Sequence, residues 1–248
     1  MAISGATSAS ADGNEAPGNP FVARSIAAGD LHTCAIEHNA TVKCWGNNNL
    51  GQLGLGDTDN RGDGAGEMGD SLPAVNLGTG RTATAITAGG THTCALLDDA
   101  TVKCWGRNNS GQLGQNDTVT RGDGAGEMGD SLAAVNLGTG RTATAIAAGG
   151  THTCALLDNA TVKCWGDNGF GQLGLGDTVS RGIGAGQMGN GLPVVSLGTG
   201  RTATAIAVAS MATELLKGKT ADEAKHLTAQ DLSGDRGALP PMNIRCGQ

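Results

Sequence analysis

The chain has 248 residues, 43 of them glycine, with 16% charged residues and a formal net charge of −7. An acidic balance without a basic cluster argues against nucleic acid as a partner. No apolar run approaches the ~20 residues of a membrane span, which argues against a membrane partner.

Residues 1–20, which read MAISGATSASADGNEAPGNP, are predicted to form a flexible leader. They contain neither the basic n-region nor the apolar h-region of a secretory signal. Pro17 and Pro20 stand just before the first predicted strand.

A unit of 60 residues then recurs three times without a gap, over 27–86, 87–146 and 147–206. The copies are marked by His32, His92 and His152 at equivalent positions. A repeat of this length is typical of one supersecondary unit that is stabilised by its neighbours. We therefore predict a repeat domain over residues 21–209.

Each copy contains four short β-prone runs separated by Gly-, Asn- and Asp-rich turns. In the second copy the central two form a hairpin, with Cys94 opposite Cys104 and Leu96 opposite Val102. Four antiparallel strands per repeat are typical of a propeller blade. The predicted fold class is an all-β array of three four-stranded blades, an incomplete β-propeller.

Six of the seven cysteines form three pairs at the same spacing, each opposite across a predicted hairpin. The disulfide candidates are Cys34–Cys44, Cys94–Cys104 and Cys154–Cys164. Such regular pairing favours an oxidising, extracellular compartment. Two alternatives remain open: reduced core thiols, and a metal site in which His32 joins Cys34 and Cys44 on one strand face.

Long loops rich in acidic residues lie between the GQLG turn and the last run of each repeat. Their charges invite a calcium interpretation, but Arg61 occupies a ligand position of the EF-hand template and Met68 replaces its closing Glu. We therefore predict turn-rich surface loops that contact a protein partner. The predicted contact residues are Asp57, Arg61, Asp63, Glu67, Asp117, Arg121, Asp123 and Glu127.

The periodicity becomes helical after residue 209, which predicts a separate, mostly helical appendix over 210–248. Thr220 and Glu223 have capping-box spacing, which predicts a helix start. Pro240 and Pro241 then impose an extended segment that leads to Cys246.

Two resemblances follow from these strings. The elements HTCAL, VKCWG and GQLG recur in order and resemble the regulator of chromosome condensation repeat family, which implies a β-propeller, typically of seven blades. The tail, with MATELLKGKTADEA and LPPMNIRC, resembles the last third of NifU/IscU-type iron–sulfur cluster assembly scaffolds. That resemblance implies that Cys246 corresponds to a cluster ligand, whereas the two upstream ligand cysteines and their companion Asp have no counterpart. The chain switches from the first resemblance to the second near the AIA string at residues 205–207, a string that both families share. Such an abrupt switch is typical of a chimeric chain.

These observations together predict a non-enzymatic protein-interaction module, because no nucleophile, base and orienting group stand apart from the structural repeat. The predicted partner is a protein, with self-association as a way to complete the propeller and no resident cofactor. One alternative is iron–sulfur cluster assembly by the tail, and a second is a secreted disulfide-bonded inhibitor or adhesin. The paired cysteines favour an extracellular location, whereas the tail and the leader favour the cytoplasm.

Overall fold

A computed structural model describes residue 23 and residues 25–207, and the chain is all-β within them. Three antiparallel sheets of three strands each correspond to the three repeats. The strands are β1 Ser25–Ala28, β2 His32–Ile36, β3 Val42–Gly46, β4 Ala83–Ala88, β5 His92–Leu97, β6 Val102–Gly106, β7 Ala143–Ala148, β8 His152–Leu157 and β9 Val162–Gly166. Each repeat also has one 3-10 turn, at Gly69–Ser71, Gly129–Ser131 and Gly189–Gly191.

The predicted hairpin register is confirmed. Cys94 pairs with Cys104 and Leu96 pairs with Val102 between β5 and β6, and the other two repeats pair identically. The turn between these strands ends at Ala100, whose φ of 63° is left-handed. The carboxylate of Asp99 stabilises this turn by accepting hydrogen bonds from Thr101 N and Oγ1 at 3.1 and 2.6 Å.

The predicted fourth strand of each blade is not confirmed, because the structure gives three strands per sheet. In the first repeat, the segment that follows the 3-10 turn donates one backbone hydrogen bond to β3, from Val75 N to Val42 O at 2.8 Å. The carbonyl of Asn76 instead accepts from Gly129 N of the second repeat at 3.0 Å. The backbone of this segment is therefore divided between two blades.

The hydrophobic cores lie between consecutive blades. The disulfide face of the first blade, with Ile36 and Val42, packs against Ala95, Leu97 and Trp105 of the second. The second blade packs against the third through the equivalent residues. Each blade therefore completes the core of the blade before it, as expected for a repeat that cannot bury its apolar face alone.

The predicted leader and the predicted helical appendix lie outside the described residues. Among those that are described, no helix has the length and apolarity needed to cross a membrane.

Candidate functional site

The seam between two blades is held by a tryptophan and a backbone carbonyl. Trp105 Nε1 donates to Gln52 O at 3.1 Å, and Trp165 Nε1 donates to Gln112 O at 3.0 Å. Both indoles are fully buried. Trp45 is half-buried, so the three tryptophans do not share one environment.

A row of histidines crosses the same seams. Thr93 Oγ1 donates to Gln52 O at 2.9 Å and is 2.9 Å from His32 Nε2, and Thr153 connects His92 to Gln112 O in the same way. Because each threonine uses its proton on the carbonyl, the imidazole donates from Nε2. Burial lowers the pKa of His32 to about 4 and that of His92 to about 3, with further repulsion on His92 from its histidine neighbours.

The three predicted disulfides are confirmed. Each pair joins cysteines 10 residues apart, and their Cα atoms are 4.1 Å apart. The metal alternative needed the Cys34 and Cys44 sulfurs as ligands, and these sulfurs are bonded to each other. Among residues 25–207, no three His, Cys, Asp or Glu side chains are grouped to hold a metal ion.

The predicted partner loops contain an internal frame. In the first repeat, Asn48 Nδ2 donates to Asp57 O and Oδ1 at 2.8 and 2.9 Å, and Arg61 forms an ion pair with Asp57 at 2.7 Å. The same frame recurs around Asp117–Arg121 and Asp177–Arg181. These charges therefore shape the loop, a role that the recurring Asn and the i, i+4 spacing of Asp and Arg could have indicated.

Glu67 and Glu127 also serve the loop backbone. Glu67 Oε2 accepts from Gly62 N and Gly64 N at 2.8 and 2.9 Å, and Glu127 accepts from the equivalent amides. Asp63 is exposed and Asp123 is half-buried. Burial and the adjacent Glu127 raise the pKa of the Asp123 carboxyl. Asp63 accepts from Asn60 Nδ2 at 3.2 Å and Asp123 lies beside Glu127, but neither belongs to the Asn, Asp and Arg frame itself.

Exposed side chains of these loops differ from repeat to repeat although the frame does not. The position of Asp59 carries Val119 in the second repeat and Val179 in the third, and both valines are more than half exposed. The position of Asp63 becomes Ile183 in the third repeat. The loop surface therefore changes from acidic to apolar along the array.

Family comparisons agree with the repeat pattern. The regulator of chromosome condensation (RCC1) repeat matches residues 23–52, 83–112 and 143–172, and a second RCC1 repeat description matches 41–96. The NifU-like N terminal domain matches residues 192–248, so that match starts inside the third repeat. Cys246, the predicted cluster ligand, lies outside the described residues.

Similar proteins are also found. A probable E3 ubiquitin-protein ligase of Homo sapiens, HERC4, is 33% identical over 62% of this chain, which spans 13% of that protein. The ultraviolet-B receptor UVR8 of Arabidopsis thaliana is 30% identical over 62% of the chain, which spans 31% of that receptor. The chain thus spans less than a third of either relative.

Among solved structures, Prp20p of Saccharomyces cerevisiae has the same fold, with a TM-score of 0.52 at 21% identity. The similarity covers 70% of this chain and 38% of Prp20p. Residues 23–112 and 143–172 of this chain therefore match regulator of chromosome condensation repeats, and residues 192–248 match the NifU-like N terminal domain.

Proposed function

We propose that this chain is a non-enzymatic protein-interaction module whose three framed loops form the contact surface. The observation that carries this proposal is the combination of a constant loop frame with side chains that vary at its exposed positions. Rigid scaffolds that present variable loop positions are the usual arrangement for binding surfaces. Prp20p, which has this fold, has binding properties to Gsp1p and histones.

Packing between neighbouring loops supports one continuous surface. Gly56 N of the first loop donates to Gly122 O of the second at 3.0 Å. A Cβ atom at Gly51 would lie 2.4 Å from Asp123 N, so the second loop sits directly against the GQLG turn of the first repeat. Gln187 N and Met188 N of the third repeat donate to Asn116 Oδ1 of the second at 3.1 and 2.9 Å. The acidic first loop and the apolar third loop are therefore fixed relative to each other through the second, which suits a partner with a basic end and an apolar end.

The test places a photo-crosslinking amino acid at position 119 and, as a control, at the exposed Asn159 in the β8–β9 turn at the opposite end of the blade. We expect position 119 alone to capture a protein, which is then identified, purified and titrated against the full chain. Asp63→Lys and Val179→Asp should each weaken its binding about tenfold, equivalent to ~1.4 kcal/mol, and Asn159→Asp should not. Equal capture from both positions, or unchanged affinity of both loop variants, would overturn the proposal.

A second candidate function, iron–sulfur cluster assembly, is favoured by the NifU-like match over 192–248. Six of the seven cysteines are consumed in disulfides, which leaves the Cys246 thiol where a cluster takes about four ligands. The donor set of a single chain does not fit a cluster, so this candidate ranks second. Anaerobic iron and sulfide should give no charge-transfer band, and stoichiometric uptake that is lost in Cys246→Ala would reverse the ranking.

A further inference from the structure

We propose that the third blade carries a socket for Trp45 of a second copy of this chain, so that copies join head to tail through another inter-blade seam. The two surfaces involved are the disulfide face of the third blade and the tryptophan face of the first. Neither includes the loop positions assigned to the partner, so the two proposals fail or stand separately.

The socket is a cavity of about 280 Å³ whose lining includes Cys154, Cys164, Leu173, Gly174 and Leu197. Glycine at the equivalent positions of the other repeats makes room for an indole. A Cβ atom at Gly54 would lie 2.6 Å from Trp105 Nε1, and one at Gly114 would lie 2.8 Å from Trp165 Nε1. At Gly174, the contacts within the described residues are with Val195 alone, 3.0 Å away at the nearest.

Exposure follows the same pattern. Leu77 and Leu137 are each 4% exposed, because the next blade covers them, whereas the equivalent Leu197 is 44% exposed. Gly174 is likewise exposed where Gly54 and Gly114 are buried. The third blade therefore presents apolar surface that the other two bury in a seam.

The first blade presents the missing half of this seam. Lys43, Lys103 and Lys163 all donate to the 3-10 turn of their own repeat. Lys103 and Lys163 also donate across the seam, to Leu77 O at 3.0 Å and Leu137 O at 2.9 Å. Lys43 has no such cross-seam acceptor within the part of the chain that the structure describes.

Each polar donor of the first blade has a matching acceptor on the third blade. Trp45 Nε1, Thr33 Oγ1 and Lys43 Nζ are the equivalents of the donors that close the two existing seams. The matching acceptors on the third blade are Gln172 O, for the first two donors, and Leu197 O. Neither carbonyl has a hydrogen-bond donor among the described residues. A third seam would therefore satisfy all of these groups at once.

A second copy is the occupant because this chain already forms the same interface twice. The first blade keeps the threonine, alanine, lysine and tryptophan that the second and third blades use in their seams. The contact joins two different faces, so it is heterologous and produces rings if the rotation closes and filaments if it does not.

One residue of the first blade departs from the pattern and predicts weak association. Leu97 and Leu157 are buried in their seams, 1% and 2% exposed, and Glu37 stands at this position in the first blade. Burying a carboxylate is costly. Glu37 forms an ion pair with Lys43 at 3.5 Å, so both must rearrange when copies meet.

The experiment is sedimentation equilibrium of the full, disulfide-bonded chain, with two variants that each block one face. We expect the wild-type mass to rise above 24.5 kDa as the concentration approaches about 100 µM, a weak-affinity range. Trp45→Arg and Leu197→Glu should each stay monomeric, because neither keeps both faces. Val119→Ser, which changes an exposed loop valine, should associate as the wild type does.

Mixing the two blocked variants gives the decisive measurement. Trp45→Arg keeps an intact socket and Leu197→Glu keeps an intact Trp45, so the equimolar mixture should form heterodimers and no larger species. A wild-type chain that stays monomeric, or a mixture that stays monomeric while circular dichroism shows both variants folded, would overturn the proposal. So would either blocked variant self-associating as the wild type does.

A gain of affinity provides an independent check. Glu37→Leu restores the leucine of the existing seams and should tighten association at least tenfold, the fold-change expected from burying one leucine side chain. Glu37→Gln removes the charge without restoring the apolar side chain and should tighten association less. Unchanged association of Glu37→Leu would contradict the proposed contact.

Discussion

The first and second blades contain the same strand, VKCWG, in two different environments. Trp105 of the second blade is fully buried and donates to Gln52 O, whereas Trp45 of the first is half-buried. The disulfides of the two blades are nevertheless equivalent, with the same Cα separation. The comparison separates the contributions to stability that a repeat makes alone from those that it makes only with a neighbour.

The largest difference between the blades should appear on truncating the tryptophans. Trp105→Ala leaves a cavity in a closed core and should lower the free energy of unfolding by about 4 kcal/mol. Trp45→Ala removes a side chain that is only partly buried, so we expect a loss of about 1 kcal/mol. Urea unfolding of both variants at a concentration where the chain is monomeric measures the difference. Equal losses would mean that the blades do not depend on their neighbours.

The disulfides should show the opposite behaviour. Each closes a loop between cysteines 10 residues apart, and in the chain-entropy treatment such a closure contributes about 3 kcal/mol whatever surrounds it. Replacing both cysteines by serine in the first blade, or both in the second, should therefore cost a similar amount. Thermal unfolding monitored by circular dichroism tests this, with the fully reduced wild-type chain as the reference for losing all three. If only the second-blade variant lost stability, packing rather than loop closure would be the main contribution of the disulfide.

Sequence reasoning correctly predicted the parts of the fold that depend on one repeat alone. The symmetric spacing of Cys94 and Cys104 about the turn fixed their pairing, because hairpin register follows from the alternation of side chains and the turn length. The predicted fourth strand is not confirmed, since the sequence does not show that Asn76 O accepts a hydrogen bond from the next blade. Contacts with the neighbouring blade determine the hydrogen-bond partners of that segment.

The candidate site was predictable to a similar extent. The loops were located from their turn-rich composition, but the pairing of Asp57 with Arg61 turned two predicted contact residues into frame residues. Thr93 and Gln52 were missed because a threonine in a strand and a glutamine in a turn are ordinary until a seam brings them together. The domain limits and the role of Cys246 stay predictions.

Acid should destabilise the seams through their buried histidines. The folded chain keeps His32 and His92 neutral down to pKa values of about 4 and about 3, whereas an unfolded histidine takes up a proton below about pH 6.5. The stability from each neutral imidazole is therefore present above pH 6.5 and is lost as the pH falls toward the folded pKa, by about 2 kcal/mol per histidine between pH 7 and pH 5.

A His92→Gln chain should lose about 2 kcal/mol less than the wild type over this pH range, because one proton-linked group is gone. Urea unfolding at pH 7 and pH 5 measures the change, and Val119→Ser provides a control that should keep the wild-type dependence. A pH dependence that His92→Gln leaves unaltered would mean that this imidazole is not held neutral by the seam.

The smallest expected effect comes from a comparison of all three repeats at one position. Gln52 Nε2 donates to Asn47 Oδ1 and Gln172 Nε2 donates to Asp167 Oδ2, both at 2.7 Å. The equivalent residue of the second repeat is Arg107, which offers no acceptor, and the buried Gln112 Nε2 has no partner within the described residues.

Arg107→Asn restores the acceptor that the first repeat uses, so it should raise the free energy of unfolding by about 1 kcal/mol, the usual cost of a buried donor left unpaired. Arg107→Ala removes the same arginine without supplying an acceptor and should give no such gain. Because the second blade is the one enclosed on both sides, the gain also measures how fully its seams exclude water. A stabilisation by Arg107→Ala equal to that of Arg107→Asn would assign the effect to the lost charge instead of the new hydrogen bond.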